Sequence, residues 1–192
     1  MNFLAHLYLS RHNEELMIGN FIADSVKGKN FDQYPEGVAK GIIMHRAIDT
    51  FTDNHSVFLK SVHRLQPKYR KYSGVIMDIF YDHFLAKNWK HYSEEELSDF
   101  TKRVHKIMIL NRDIMPERTQ HFLKYMLLNN IPMPYAEVEG IKKVLYGMSR
   151  RAKFESKMEE STGELVEHYG EFENEFTVFM PEARKFVKGY KL

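Results

Sequence analysis

Asp78-Ile79-Phe80-Tyr81-Asp82-His83-Phe84-Leu85, near the middle of a chain of 192 residues, sets two carboxylates and an imidazole in an apolar and aromatic run. Read as a helix, the four-residue spacing stacks Asp78 and Asp82 on one face, with His83 about 100° around from Asp82. An acidic pair on so apolar a helix is costly unless something positive meets it, either a metal ion or an arginine. The flanking sequence offers both.

The totals narrow the possibilities. The chain is long enough for one sizeable core and contains no linker-like stretch, so a single domain over residues 1–192 is expected. No apolar run approaches the ~20 residues needed to cross a bilayer. The opening Met1-Asn2-Phe3-Leu4-Ala5-His6 lacks the basic region of a secretion signal, so none is expected. Cysteine is absent, which excludes disulfides and thiolate ligands and fits a reducing cytoplasm. A metal site must then use histidine and carboxylate, a set suited to Mn, Fe, Mg or Zn. The net charge of +2 gives no argument for nucleic acid. Its distribution says more. No acid falls between Asp53 and Asp78, where Lys60, Arg64, Lys68, Arg70 and Lys71 lie, while Glu155 to Glu175 holds eight glutamates.

Taken in order, the chain reads as helices throughout. Residues 2 to 9 read as a short helix or a first turn entering one, and Asn13 to Asp24 as a helix with Asn20 and Asp24 on one face. Lys27-Gly28-Lys29-Asn30 breaks it, and Pro35 suits the first turn of the next helix. That helix carries Val38, Ile42 and Ile48 on one stripe, His45, Asp49 and Asp53 on another, and Arg46 beside them. Pro67 interrupts the basic segment, and the Asp78 helix ends near Trp89. Ser93-Glu94-Glu95-Glu96 has the form of a capping box opening an amphipathic helix through Leu97, Phe100, Val104 and Ile107. Met115-Pro116-Glu117 starts another, Ile131-Pro132-Met133-Pro134 is a turn, and Val138–Met148 and Phe154–Met180 are two more. With no period-2 strand, the expectation is one all-α domain of about seven helices. Its polar motifs fall in residues 1–90 and its amphipathic remainder in 91–192.

Four polar clusters interrupt otherwise apolar helices: Asn2/His6, Asn20/Asp24, His45-Arg46/Asp49/Asp53 and Asp78/Asp82-His83. One buried histidine is commonly a satisfied core residue, and Arg46 with Asp49 or Asp53 makes a plausible structural ion pair. Together, however, so many ionisable groups on interior faces gain nothing for a core. One shared metal site accounts for all of them. Such a site suits phosphate-ester hydrolysis, in which a cation activates water and an arginine meets the developing charge.

The stretches Met1-Asn2-Phe3-Leu4-Ala5-His6-Leu7, Gly19-Asn20-Phe21-Ile22-Ala23-Asp24, Gly41 to Asp53 and Asp78 to Leu85 resemble, in order and spacing, the motifs of the acyl carrier protein phosphodiesterases. The resemblance implies an HD-phosphohydrolase-like helical protein that uses a divalent metal, often Mn²⁺. It also implies removal of 4′-phosphopantetheine from holo-acyl carrier protein. By motif position, Asp24, His45, Asp78, Asp82 and His83 would be metal ligands. His6 and Asn20 would join the site, Arg46 would stabilise the transition state, and Asp49 and Asp53 would orient their neighbours. His83, if unligated, or else His55 would protonate the leaving serine; Ser56 stands where many relatives have proline. The acid-free segment, with Lys27 and Lys29 opposite, would form a basic lip for an acidic carrier protein. Arg150-Arg151-Ala152-Lys153 is a second basic knot with no assigned purpose. The residues themselves leave two other readings open, a hydrolase of a nucleotide or other small phosphoester and a non-catalytic module that docks a carrier protein.

Overall fold

The computed structural model describes residues 1–190, all helix and connecting turns with no strand among them. Eleven α-helical segments succeed one another: α1 (Phe3–Leu9), α2 (Glu14–Ile22), α3 (Glu36–Asn54), α4 (Ser56–Tyr69), α5 (Ser73–Lys87), α6 (Trp89–Tyr92), α7 (Leu97–Leu110), α8 (Glu117–Leu128), α9 (Val138–Ser149), α10 (Thr162–Glu167) and α11 (Tyr169–Gly189). The excess over about seven comes from short segments such as α6, of four residues, and α10, of six.

Helix α5 runs through the centre. Its residues from Ile79 to Ala86 are all buried, which is why its sequence shows no polar stripe. On one side it meets α1, itself buried from Leu4 to Leu9. On another it meets α4 and α11, where Phe80 packs on Phe172, Tyr81 on Phe176 and Phe179, and Phe58 on Tyr81. Helices α2 and α3 form a tight pair running in the same direction, Glu15 lying against Gly37 and Gly19 against Gly41. A Cβ on Gly19 would come within 2.2 Å of the Val38 carbonyl oxygen, and one on Gly41 within 2.5 Å of the Leu16 oxygen. Backbone therefore meets backbone at this crossing, as only glycine permits.

Several expected boundaries move. Ser93 forms no capping box: its hydroxyl accepts from the Glu95 amide at 3.2 Å, Glu96 is the N-cap, and α7 begins at Leu97. The stretch expected as one helix from Phe154 to Met180 breaks at Lys157 (φ 55°), forms a short 3-10 turn over Met158–Glu160, and then supplies α10 and α11. Pro67 falls inside α4 rather than interrupting it, and α11 runs through Pro181. Each proline removes one amide from the ladder, a loss that the packed faces of both helices outweigh.

Candidate active site

Three elements bring the central cluster together. His6 rises from α1, while His45 and Asp49 stand one turn apart on α3. The His6 and His45 rings stack with centroids 3.8 Å apart and planes 15° from parallel. Both turn Nε2 toward one carboxylate, with His6 Nε2 3.0 Å from Asp49 Oδ1 and His45 Nε2 3.1 Å from Asp49 Oδ2. Asp24, on the 3-10 turn after α2, approaches His45 Nε2 at 3.4 Å from the solvent side. His6, His45 and Asp49 form a group whose ligand atoms lie close enough together to hold a metal ion.

The hydrogen bonds determine what this group requires. Asn20 is buried on α2 and donates Nδ2 to the Leu16 carbonyl at 3.0 Å, so its Oδ1 faces His6 Nδ1 at 3.1 Å. His6 Nδ1 therefore carries the hydrogen. In the neutral ring, Nε2 is then a bare lone pair facing Asp49 Oδ1 and, at 3.2 Å, the Met1 carbonyl. Three acceptors cannot face one another without a positive charge between them. A proton is a poor solution, because burial and then the charge of His45 push the His6 pKa down to about 4. A divalent ion solves it, so the residues present fit a metal. At His45, burial opposes the charged ring, but Asp24 and Asp49 outweigh it and raise the pKa to about 9. His45 Nδ1 is buried with no hydrogen-bond partner among the described residues. Burial would raise Asp49, yet His45, His6 and the Met1 ammonium together hold it well below the ordinary carboxylate range.

The other expected ligands lie elsewhere. Asp78 pairs at 3.2 Å with the α-ammonium of Met1, which sits 3.2 Å from Asp49 as well; burial lifts Asp78 to about 6. Asp82 caps α1 from the side: Oδ2 accepts from the Leu4 amide at 2.8 Å and from Asn2 at 3.0 Å, and Oδ1 from the Ala5 amide at 2.9 Å. Its oxygens satisfy the orphan donors of that helix start, which is the reason for a buried acid here. His83 projects from another face of α5, with Nδ1 2.8 Å from the Tyr135 carbonyl and Nε2 2.9 Å from the Tyr169 hydroxyl. Both ring nitrogens are used, so neither the ligand nor the proton-donor role fits it. His55, the alternative donor, faces Glu182 at 3.1 Å and packs on Phe179.

Arg46 points away from the cluster. It donates to the Gly28 and Val26 carbonyls at 2.7 Å each and so ties down the loop after Asp24 instead of meeting a phosphoryl group. Asp53 is exposed near the end of α3. The basic segment is largely spent on glutamates. Arg64 grips Glu175 with two bonds of 2.8 Å, Lys60 reaches Glu175 at 3.2 Å, and Lys68 reaches Glu164 and Glu160. Lys71 lies over the Phe154 ring, and Arg70 is exposed.

A cavity of about 620 Å³ opens from the cluster. Met1, His6, Asn20, Asp24 and His45 line its polar end. Its remaining wall comes from the C-terminal half, including Arg118 and Phe122 of α8, Val144 and Met148 of α9, and Arg151. Sequence reasoning missed this half of the site. The one signal was the Arg150–Lys153 knot, which had no partner until the fold set it across from α1.

Comparison with known proteins identifies relatives of the whole chain. The family model described as acyl carrier protein phosphodiesterase matches residues 1–183. Among the most similar relatives is an acyl carrier protein phosphodiesterase of Enterobacter sp. (strain 638), 32% identical over 193 residues and all of both chains. Another of that name, from Photorhabdus laumondii, is 34% identical over 182 residues, 94% of this chain and 92% of the relative. One from Yersinia pestis is 31% identical over 94% of each. No solved structure matches the chain.

Proposed function

The chain belongs to the acyl carrier protein phosphodiesterase family, and from that premise we propose that it is a metal-dependent hydrolase releasing 4′-phosphopantetheine from holo-acyl carrier protein. The observation that carries the metal is the unmet lone pair of His6, turned with His45 toward Asp49 at the end of an open cavity. His6, His45 and Asp49 would hold the ion, with Asp24 on the rim. When bound, a divalent ion, Mn²⁺ by the family resemblance, supplies a Lewis acid and an activated water for attack at phosphorus. Asn20 holds the His6 tautomer that leaves Nε2 free. Asp49 accepts from the charged His45 ring and so orients it, and Asp24 faces solvent beside it. The cavity beyond, walled by Phe21, Ile131, Val144 and Met148, suits the flexible arm of the substrate. No helix of the described residues is long and apolar enough to cross a membrane, and a cytoplasmic location accords with this substrate.

The test is mass spectrometry of holo-carrier protein incubated with the protein and Mn²⁺, alongside a panel of nucleotides. Loss of the phosphopantetheine mass is expected, and His6→Ala and Asp49→Ala should each abolish it while the fold survives. Turnover of nucleotides with an intact carrier protein would replace this reading with that of a small-phosphoester hydrolase. Unaltered carrier binding with no turnover of any phosphoester would leave only a docking module.

A further inference from the structure

Three of the seven cations that sequence alone would place on a docking lip, Lys60, Arg64 and Lys68, are paired with glutamates inside this molecule, so a stronger docking surface is to be looked for elsewhere. The cavity itself indicates where. Residues of α1, α8 and α9 line it, and its exposed lining residues are Asp24 beside the His6/His45 end and Arg118, Phe122, Tyr125 and Arg151 from the C-terminal half. Arg118 and Arg151 are exposed, and neither forms an ion pair among the described residues. Residues 138–153 carry five Lys or Arg against the single acid Glu139, an excess larger than that of the whole chain. Large apolar side chains stand exposed beside them, Tyr125 at 41% and Tyr146 at 55%. Elsewhere α8 and α9 bury Leu123, Met126, Ile141 and Leu145, so these exposed residues are surplus to the core.

We propose that the face formed by α8, α9 and the Arg150–Lys153 knot is the docking surface for an acidic protein partner whose phosphodiester-linked arm enters the cavity between them. This rests on the reading of the activity given above. The chemistry is complementary at both ends. Arginine and tyrosine around the mouth are the residue types that anchor protein interfaces, with cations to steer an acidic body. The carboxylates Asp24 and Asp49 gather at the His6/His45 end, where the ion needs them. The arm, once threaded, presents its phosphorus to the His6/His45 end.

The experiment uses the full chain and the apo form of an acidic acyl carrier protein, with binding followed by fluorescence anisotropy at low salt. Two double variants are compared with wild type, Arg118→Glu with Arg151→Glu on the proposed face and Arg70→Glu with Lys71→Glu on the α4 side. All four side chains are at the surface, and circular dichroism melting checks that both proteins fold. The expected result is a weakening of about tenfold or more for the first pair and less than about twofold for the second. Equal weakening in both pairs, weakening confined to the α4 side, or tighter binding of an RNA oligonucleotide than of carrier protein would overturn the assignment. Wild-type release of the phosphopantetheine mass is measured in parallel. If wild type neither releases it nor binds carrier protein, the activity reading fails and the docking face with it. If wild type releases it and the first pair binds normally, the docking face alone is wrong.

Discussion

At the scale of single residues, buried polarity here divides into two jobs that composition cannot separate. Asp49 collects two imidazoles at a cavity, whereas Asp82 collects two backbone amides and Asn2 in the core. Asp82→Ala should therefore act on stability. It leaves two buried N–H groups without acceptors, at a cost of about 3 kcal/mol, read as a drop in the urea midpoint. Asp82→Asn keeps an acceptor and should cost less. A stable but inactive Asp82→Ala would restore this residue to the metal site. Asn20→Ala should do the reverse, cutting metal affinity or turnover about 10- to 100-fold through the freed His6 tautomer with little change in melting. Protons report on His45: near neutral pH its raised pKa keeps the ring charged, so an ion bound there must displace that proton. Calorimetric titration with Mn²⁺ in buffers of different ionisation enthalpy should show about one proton released per ion, and none if His45 is no ligand. The sequence placed His6, Asn20, Asp24, His45 and Asp49 in one site together with Arg46, Asp53, Asp78, Asp82 and His83, and the fold brings the first five close to one another. It could not sort Asp82, His83 and Arg46, because their partners are a helix end, a tyrosine hydroxyl and two loop carbonyls supplied by residues distant in sequence.

At the scale of elements, the site depends on how closely α2 and α3 approach. Gly19 and Gly41 meet at the crossing; Asn20 follows Gly19 directly with Asp24 a turn later, and His45 and Asp49 stand one and two turns beyond Gly41. Gly41→Ala should force the helices apart, costing about 1–3 kcal/mol. Turnover should fall well beyond that loss of fold, because Asn20 and His45 then separate. A variant that is less stable but as active as wild type at low temperature would show that the crossing serves packing alone. The α4–α11 seam gives a separate prediction. Burial would raise the Glu175 carboxyl, but Arg64, Ser61 and Lys60 more than offset this and hold it below its ordinary value. A lowered carboxylate stabilises the fold above about 4.5, and the contribution is lost as pH falls from there through the folded value. The urea midpoint should thus decline below that pH. Glu175→Gln should start about 3 kcal/mol weaker and decline less steeply. Periodicity made most helices legible, but α5 has no stripe to read and α11 continues past a proline, since tertiary burial decides both.

At the scale of the whole molecule, charge is sorted by destination. The cations of α4 are answered by the glutamates of α10 and α11, so two opposite runs that stand out in the sequence cancel in the fold. Among the cations that form no ion pair in the described residues, Arg118 and Arg151 line the cavity, and Lys143, Arg150 and Lys153 lie near Arg151 in sequence. Such a surface acts at a distance on a charged protein and hardly at all on a small substrate already inside the cavity. Turnover on holo-carrier protein, measured below saturation, should therefore fall steeply as salt rises from low to physiological ionic strength. Turnover on a small phosphodiester such as bis(p-nitrophenyl) phosphate, which needs only the ion and the imidazoles, should stay nearly flat over the same range. Loss of the metal itself would depress both curves together, so the contrast isolates encounter from chemistry. Were both substrates to show the same salt dependence, the exposed arginines would have no part in capture, and apolar contact through Phe122 and Tyr125 would have to hold the partner unaided.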